Sequence, residues 1–231
     1  MGEWIKYIAG EKEARGYLAL PKQERGPGVL LCHAWWGLNS FFQGLADRLS
    51  EEGFVVLAPD LYDGKIAATI EEAEALIYTL DYREAIKYET AAADYLLSHP
   101  ANEGDLLGAV GFSMGAAYVT WLATLRPQVS AVVVFYGGVE QEADYPLRTR
   151  AAFLGHFAED DPYESSDEMH RMEAMLRVAR REVAFHVYPG TGHWFFEDDR
   201  PDAYNPEAAE LAWQRSIDFL HSKLDQRPSP R

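Results

Sequence analysis

The sequence predicts an α/β protein built on a doubly wound, mostly parallel sheet with a hairpin at its N-terminal edge. Residues 29–32, 54–58, 129–135, 151–154 and 183–187 are short apolar runs rich in Val, Leu and Phe. A strand that is apolar at nearly every position is buried on both faces, as parallel strands are when helices cover them. Between these runs lie segments with helical apolar spacing, and a strand–helix–strand order requires a crossover that leaves the two strands parallel. The length of 231 residues suits one α/β unit, so a single domain over residues 1–225 is expected, with a disordered tail at 226–231.

Each element has its own local reason. Residues 4–9 and 16–20 read as two short strands, the first alternating and the second stopped by Pro21, with the charged run 10–15 joining them. Residues 39–52 place Phe42, Leu45, Ala46 and Leu49 at helical spacing and end at Gly53. Residues 62–98 are helical in composition with a break near Asp81, long enough for a small lid and a crossover helix. A helix is expected from Met114 to about Leu125, an amphipathic one over 166–179 and a closing one over 206–224.

Composition removes several function classes. The formal net charge of −16 repels phosphate backbones and anionic lipid surfaces, so neither nucleic acid nor membrane is an expected partner. Cys32, the only cysteine, lies inside an apolar run and reads as a buried structural thiol. The N-terminus lacks a long apolar core, and Lys6 stands where a myristoylation motif needs Ser or Thr. A cytoplasmic protein is the expectation. No His pair flanking a glutamate and no cysteine pair suggests zinc, so neither metal nor cofactor is expected.

The chemistry centres on Gly111-Phe112-Ser113-Met114-Gly115, preceded by the apolar run 106–110 and followed by the helix-compatible segment. A serine between glycines at a strand-to-helix junction can occupy a tight turn that holds its hydroxyl up and exposed, the nucleophile elbow. Such a serine needs a base and an acid later in the chain, each on a loop after a later strand. After residues 151–154 comes the acidic loop 155–163, where Asp161 is preferred to Asp160 because Pro162 fixes a turn away from the sheet. After residues 183–187 comes Gly190-Thr191-Gly192-His193-Trp194-Phe195-Phe196. Its histidine is flanked by glycine and aromatics, whereas His186 reads as strand, His170 and His221 as helix, and His99 and His156 as loop. Ser113 is thus the expected nucleophile, His193 its base and Asp161 the orienting acid. Trp35, Trp36, Phe41, Phe42, Trp194 and Phe195 neighbour these positions and are candidates for an apolar pocket wall, alongside ordinary core packing.

With these motifs, Trp36-Gly37-Leu38-Asn39, Ala58-Pro59-Asp60-Leu61-Tyr62 and the closing helix with Ala208, Ala212 and Trp213, the chain resembles the dienelactone hydrolase family of α/β-hydrolases over nearly its whole length. The resemblance implies an α/β-hydrolase fold, the same three catalytic positions, and an oxyanion hole formed by the backbone N–H groups of Trp35 and Met114. This chain departs from the family's best-known members, which carry a cysteine nucleophile, a glutamate where Ala34 stands, and two arginines that hold the substrate carboxylate. Glu197 occupies the place of one arginine, and no arginine lies between Tyr62 and Tyr82.

The expected activity is that of a serine carboxylesterase: cleavage of a small, neutral or weakly polar ester through an acyl-enzyme. A protonated imidazole cannot accept the serine proton, so hydrolysis should fade in acid. Lactone, C–C bond or peptide hydrolysis by the same three residues, and a non-catalytic binding protein on this scaffold, are the alternatives. Whether the protein is a monomer or a homodimer is left open.

Overall fold

Alternation decides the outermost elements of the computed structural model, which describes residues 1–138 and 148–225; the expected tail, 226–231, lies outside them. Strands β1 (Glu3–Ala9) and β2 (Lys12–Ala19) pair antiparallel. The charged run expected as their connection is largely strand: Ala9 pairs with Lys12, leaving only Gly10 and Glu11 in the turn. Charge is tolerated because Lys12 and Glu13 face solvent while Ala14 is buried. The Arg15 guanidinium lies over the Trp4 ring and approaches Asp60 within 3.2 Å.

The remaining elements alternate. They are β3 (Gly26–Cys32), α1 (Ser40–Glu51), β4 (Val55–Pro59), α2 (Ile70–Thr79), α3 (Tyr82–Ser98), β5 (Asn102–Phe112), α4 (Met114–Leu125), β6 (Val129–Phe135), β7 (Ala152–Asp160), α5 (Ser166–Val178), β8 (Val183–Gly192) and α6 (Pro206–Leu224). Side-chain caps fix several helix starts. Asn39 accepts the Phe42 N–H at α1, Thr69 and Asp81 cap α2 and α3, Ser165 and Glu168 form a capping box at α5, and Asn205 caps α6. Asp81 explains the expected break.

Among the described residues, eight strands form one sheet in the order β1-β2-β4-β3-β5-β6-β7-β8, parallel from β4 to β8. Its two faces bury separate cores. Val29, Leu31, Val110, Val133 and Phe135 meet α1 and α6 on one side; Leu30, Cys32, Ala109, Val132 and Val134 meet α3, α4 and α5 on the other. That division is why these strands read as continuous apolar runs. No helix among the described residues is long and apolar enough to cross a membrane.

Two strands run further than the sequence suggests. β7 continues through His156 to Asp160, and β8 to Gly192. His156, expected in a loop, is a fully buried strand residue whose ring nitrogens meet the Tyr188 hydroxyl at 2.8 Å and Ser216 Oγ at 3.0 Å. Both nitrogens are satisfied, and burial pushes the imidazole well below its ordinary pKa.

Candidate active site

Ser113 sits between the end of β5 and the start of α4 with φ 50° and ψ −116°, a conformation that non-glycine residues adopt only where surrounding structure imposes it. What imposes it is close packing on three sides. A Cβ at Gly115 would lie 2.5 Å from the Cys32 carbonyl oxygen and 2.6 Å from that of His33, so only glycine lets α4 begin hard against the end of β3. A Cβ at Gly111 would collide with the Gly115 carbonyl, and the Ser113 N–H donates to the Phe135 carbonyl of β6 at 2.9 Å. The same approach sets Gly115, in the first turn of α4, against the Cys32 and His33 carbonyls at the end of β3.

His193 follows directly after β8 and is 5% exposed. Its Nδ1 lies 2.7 and 2.9 Å from the two carboxylate oxygens of Asp161, and its Nε2 lies 2.9 Å from Ser113 Oγ. A carboxylate only accepts hydrogen bonds, so Nδ1 carries the proton and the Nε2 lone pair faces the serine hydroxyl. Asp161 is held in turn: its Oδ1 accepts the backbone N–H groups of Tyr163 and Glu164 at 2.9 and 3.0 Å. Asp160, its neighbour, is exposed at the end of β7. Sequence positions 113, 161 and 193 thus meet at the carboxyl ends of β5, β7 and β8.

Aromatic rings enclose this chain of hydrogen bonds. Tyr136 and Tyr163 have ring centroids 4.8 and 5.0 Å from that of His193, and Trp194 meets it edge-on at 5.2 Å. Two carboxyls nearby favour their neutral forms. Burial, aided by Glu168 and Asp161, pushes Glu164 up to about 8, and burial outweighs the Tyr136 hydrogen bond to push Glu197 up to about 8.

A cavity of about 590 Å³ opens beside the imidazole, lined by Trp36, Ile70, Tyr163, His193, Trp194 and Arg200 among others. The start of α2 forms part of its rim. The Arg200 guanidinium lies 3.6 Å from the Trp36 ring centroid, and Asp160, Asp199 and Asp202 also reach the cavity. Of the residues expected to wall a pocket, Trp36 and Trp194 line this one. Phe41 instead borders a separate depression of about 330 Å³ between α1 and α6. Phe195 is fully buried against Tyr136 and Tyr188, because the turn that bonds its N–H to the Gly192 carbonyl directs its ring inward. Among the described residues no group of three or more His, Cys, Asp and Glu side chains is arranged to hold a metal ion.

Sequence reasoning missed Tyr136, Tyr163, Glu164 and Arg200. Tyr136 lies just past the apolar run 129–135, with the following Gly137-Gly138 its only hint, and Arg200 is hidden in an acidic segment.

The family model described as "Dienelactone hydrolase family" matches residues 14–224. "Protein usf" of Aquifex pyrophilus is 29% identical, covering 97% of this chain and 100% of that protein. The Bradyrhizobium protein named "Probable 2-oxo-3-(5-oxofuran-2-ylidene)propanoate lactonase" is 30% identical, covering 96% of this chain and 94% of that one. The solved structure entitled "m3DLH" superposes with a TM-score of 0.88 at 25% identity, covering 97% of this chain and 99% of its own. With the mostly parallel sheet, its antiparallel edge and the strand-to-helix serine turn already described, these likenesses establish an α/β-hydrolase fold. The chain belongs to the dienelactone hydrolase family.

Proposed function

We propose that this protein is a serine hydrolase that cleaves a small, neutral or weakly polar carboxylic ester through an acyl-enzyme. One observation carries the reading: the His193 imidazole bridges Ser113 Oγ at 2.9 Å and the Asp161 carboxylate at 2.7 Å. A serine hydroxyl is a poor nucleophile until a neighbouring base removes its proton. Here Nε2 takes the proton as Oγ attacks the acyl carbonyl, and Asp161 holds the tautomer and stabilises the imidazolium.

The oxygen that becomes negative in the tetrahedral intermediate meets the backbone N–H groups of Met114 and Trp35. Donors of this kind typically lower the barrier by about 3 to 4 kcal/mol each. His193 then returns its proton to the leaving alcohol. A water molecule repeats the attack on the acyl-enzyme with His193 again as base, freeing the acid and restoring Ser113. The cavity beside His193, with Trp36, Trp194 and Tyr163 in its wall, is the place for the acyl or alcohol group.

A lactone is the second reading, favoured by the 30% identical relative that is named a lactonase. A lactone is a cyclic ester, so the same steps apply and the leaving alkoxide stays tethered to the acyl group. Labelling with a fluorophosphonate probe, followed by a panel of simple esters and lactones, tests both readings. Wild-type protein is expected to label on Ser113, Ser113→Ala not at all, and a wild-type protein that stays unlabelled sinks the proposal.

A further inference from the structure

We propose that Tyr136 and Glu197 are positioning residues for the His193 base, forming a buried strut between the end of β6 and the loop that carries the imidazole. The inference rests on the serine-hydrolase reading above. Glu197 is 0% exposed and its Oε1 accepts the Tyr136 hydroxyl at 2.7 Å; Tyr136 is 0% exposed as well.

The loop makes this contact consequential. Beyond β8 the chain turns tightly, with Trp194 at φ 67° and the Glu197 N–H donating to the Trp194 carbonyl at 2.9 Å. Glu197 is therefore carried back to the Tyr136 hydroxyl one short turn after His193 along the chain. On the other side, Tyr136 is held by the same strand ends that hold the nucleophile. Its N–H donates to the His156 carbonyl at 2.7 Å, and the preceding residue, Phe135, accepts the Ser113 N–H. Tyr136 also has φ 33°, a left-handed conformation that only over-determined surroundings maintain. A rigid phenol thus runs from the serine's own support, past one face of His193, to the far end of the histidine loop.

The chemistry gives a reason to retain a polar pair there. An acyl-enzyme cycle requires Nε2 to take and return a proton twice, and misplacement of a catalytic group by 1 Å can cost about a hundredfold in rate. The charged groups around the pair are Asp161, Asp199 and Arg200, with the Trp36 indole also beside Glu197. Burial and Asp199 hold the Glu197 carboxyl in its neutral form, so the strut adds no second negative charge next to the Asp161–His193 pair. Burying a carboxyl group is costly, and an apolar side chain of similar size would fill the space without that cost.

The experiment measures fluorophosphonate labelling rates and ester kinetics for wild type, Tyr136→Phe, Glu197→Gln, Glu197→Met and the Tyr136→Phe/Glu197→Met double variant, each checked for folding by thermal melting. Tyr136→Phe keeps the ring but removes the donor; kcat and labelling are expected to fall at least about tenfold with KM changed less than about twofold. Glu197→Met should lose as much, Glu197→Gln should recover most of that loss because its amide oxygen still accepts, and the double variant should be no worse than either single one. Labelling of Tyr136→Phe at the wild-type rate overturns the strut, as does a Glu197→Gln variant as slow as Glu197→Met. Should Tyr136→Phe fail to fold, the Gln and Met variants decide. Wild-type protein that labels while the variants match it defeats this inference alone; wild-type protein that never labels defeats the hydrolase reading and this inference with it.

Discussion

Gly115 and Cys32 belong to different elements, yet a Cβ built on Gly115 would stand 2.5 Å from the Cys32 carbonyl oxygen, closer than folded proteins allow. Because this contact seats α4 against β3, Gly115→Ala must push the helix start away from the strand end and release the turn at Ser113. The expected result is a melting temperature lower by several degrees, from a loss of about 1 to 3 kcal/mol, together with slowed fluorophosphonate labelling. Unchanged melting and labelling would show that the close approach is not what holds the elbow.

Asp161→Asn tests the orienting role separately from stability. The asparagine oxygen can still accept the Tyr163 and Glu164 N–H groups that Asp161 accepts now. What it lacks is the charge that selects the Nδ1–H tautomer. Turnover is expected to fall by about 10³- to 10⁴-fold with little change in melting temperature. A loss of less than about tenfold would place the orienting acid elsewhere.

Two buried carboxyls and one half-buried one give stability an unusual dependence on pH. Burial raises Glu89 to about 7 and Glu164 and Glu197 to about 8, whereas the same groups in the unfolded chain ionise near 4.5. Between those values the folded state holds protons that the unfolded state has released, so these groups favour folding in mild acid and lose that contribution as pH rises toward 8. Glu89, which faces Cys32 and Tyr7 away from the imidazole, isolates the effect. Glu89→Gln cannot ionise, so its stability by urea denaturation should fall less between pH 5.5 and 8.5 than that of wild type. The difference should be on the order of 1 to 3 kcal/mol. Parallel profiles would refute the assignment.

The cavity's charges bear on substrate choice. Asp160, Asp199 and Asp202 reach it, against the single guanidinium of Arg200, which already has Asp199 Oδ1 at 3.8 Å. Glu197 stands where the family's best-known members place a carboxylate-binding arginine, and it is turned inward to Tyr136. A neutral ester should therefore have a kcat/KM roughly tenfold above that of an isosteric ester bearing a carboxylate, a gap that narrows in high salt as the field is screened. Equal values at low salt would mean that Arg200 offsets the acids.

Sequence patterns exposed the sheet and the three hydrogen-bonded residues because each leaves a local trace. Val29 to Cys32 is apolar throughout since both faces are covered, and Ser113, Asp161 and His193 each follow a strand beside glycine or proline. Contacts made through space left none. His156 looked like a loop residue because its partners, Tyr188 and Ser216, lie 32 and 60 residues away. The Tyr136 hydroxyl finds Glu197 across 61 residues. Phe195 carries no mark that separates a pocket wall from a core residue, since the turn after Gly192 decides which way it faces.

The lateral order β5-β6-β7-β8 has one more consequence. Neighbouring strands run about 4.8 Å apart, so β6, which supplies none of the three hydrogen-bonded side chains, acts as a spacer that keeps the strands leading to the hydroxyl and the carboxylate roughly two strand widths from each other. That gap is too wide for the two to touch and suits one five-membered ring between them. The middle strand is the gauge against which the other three are set.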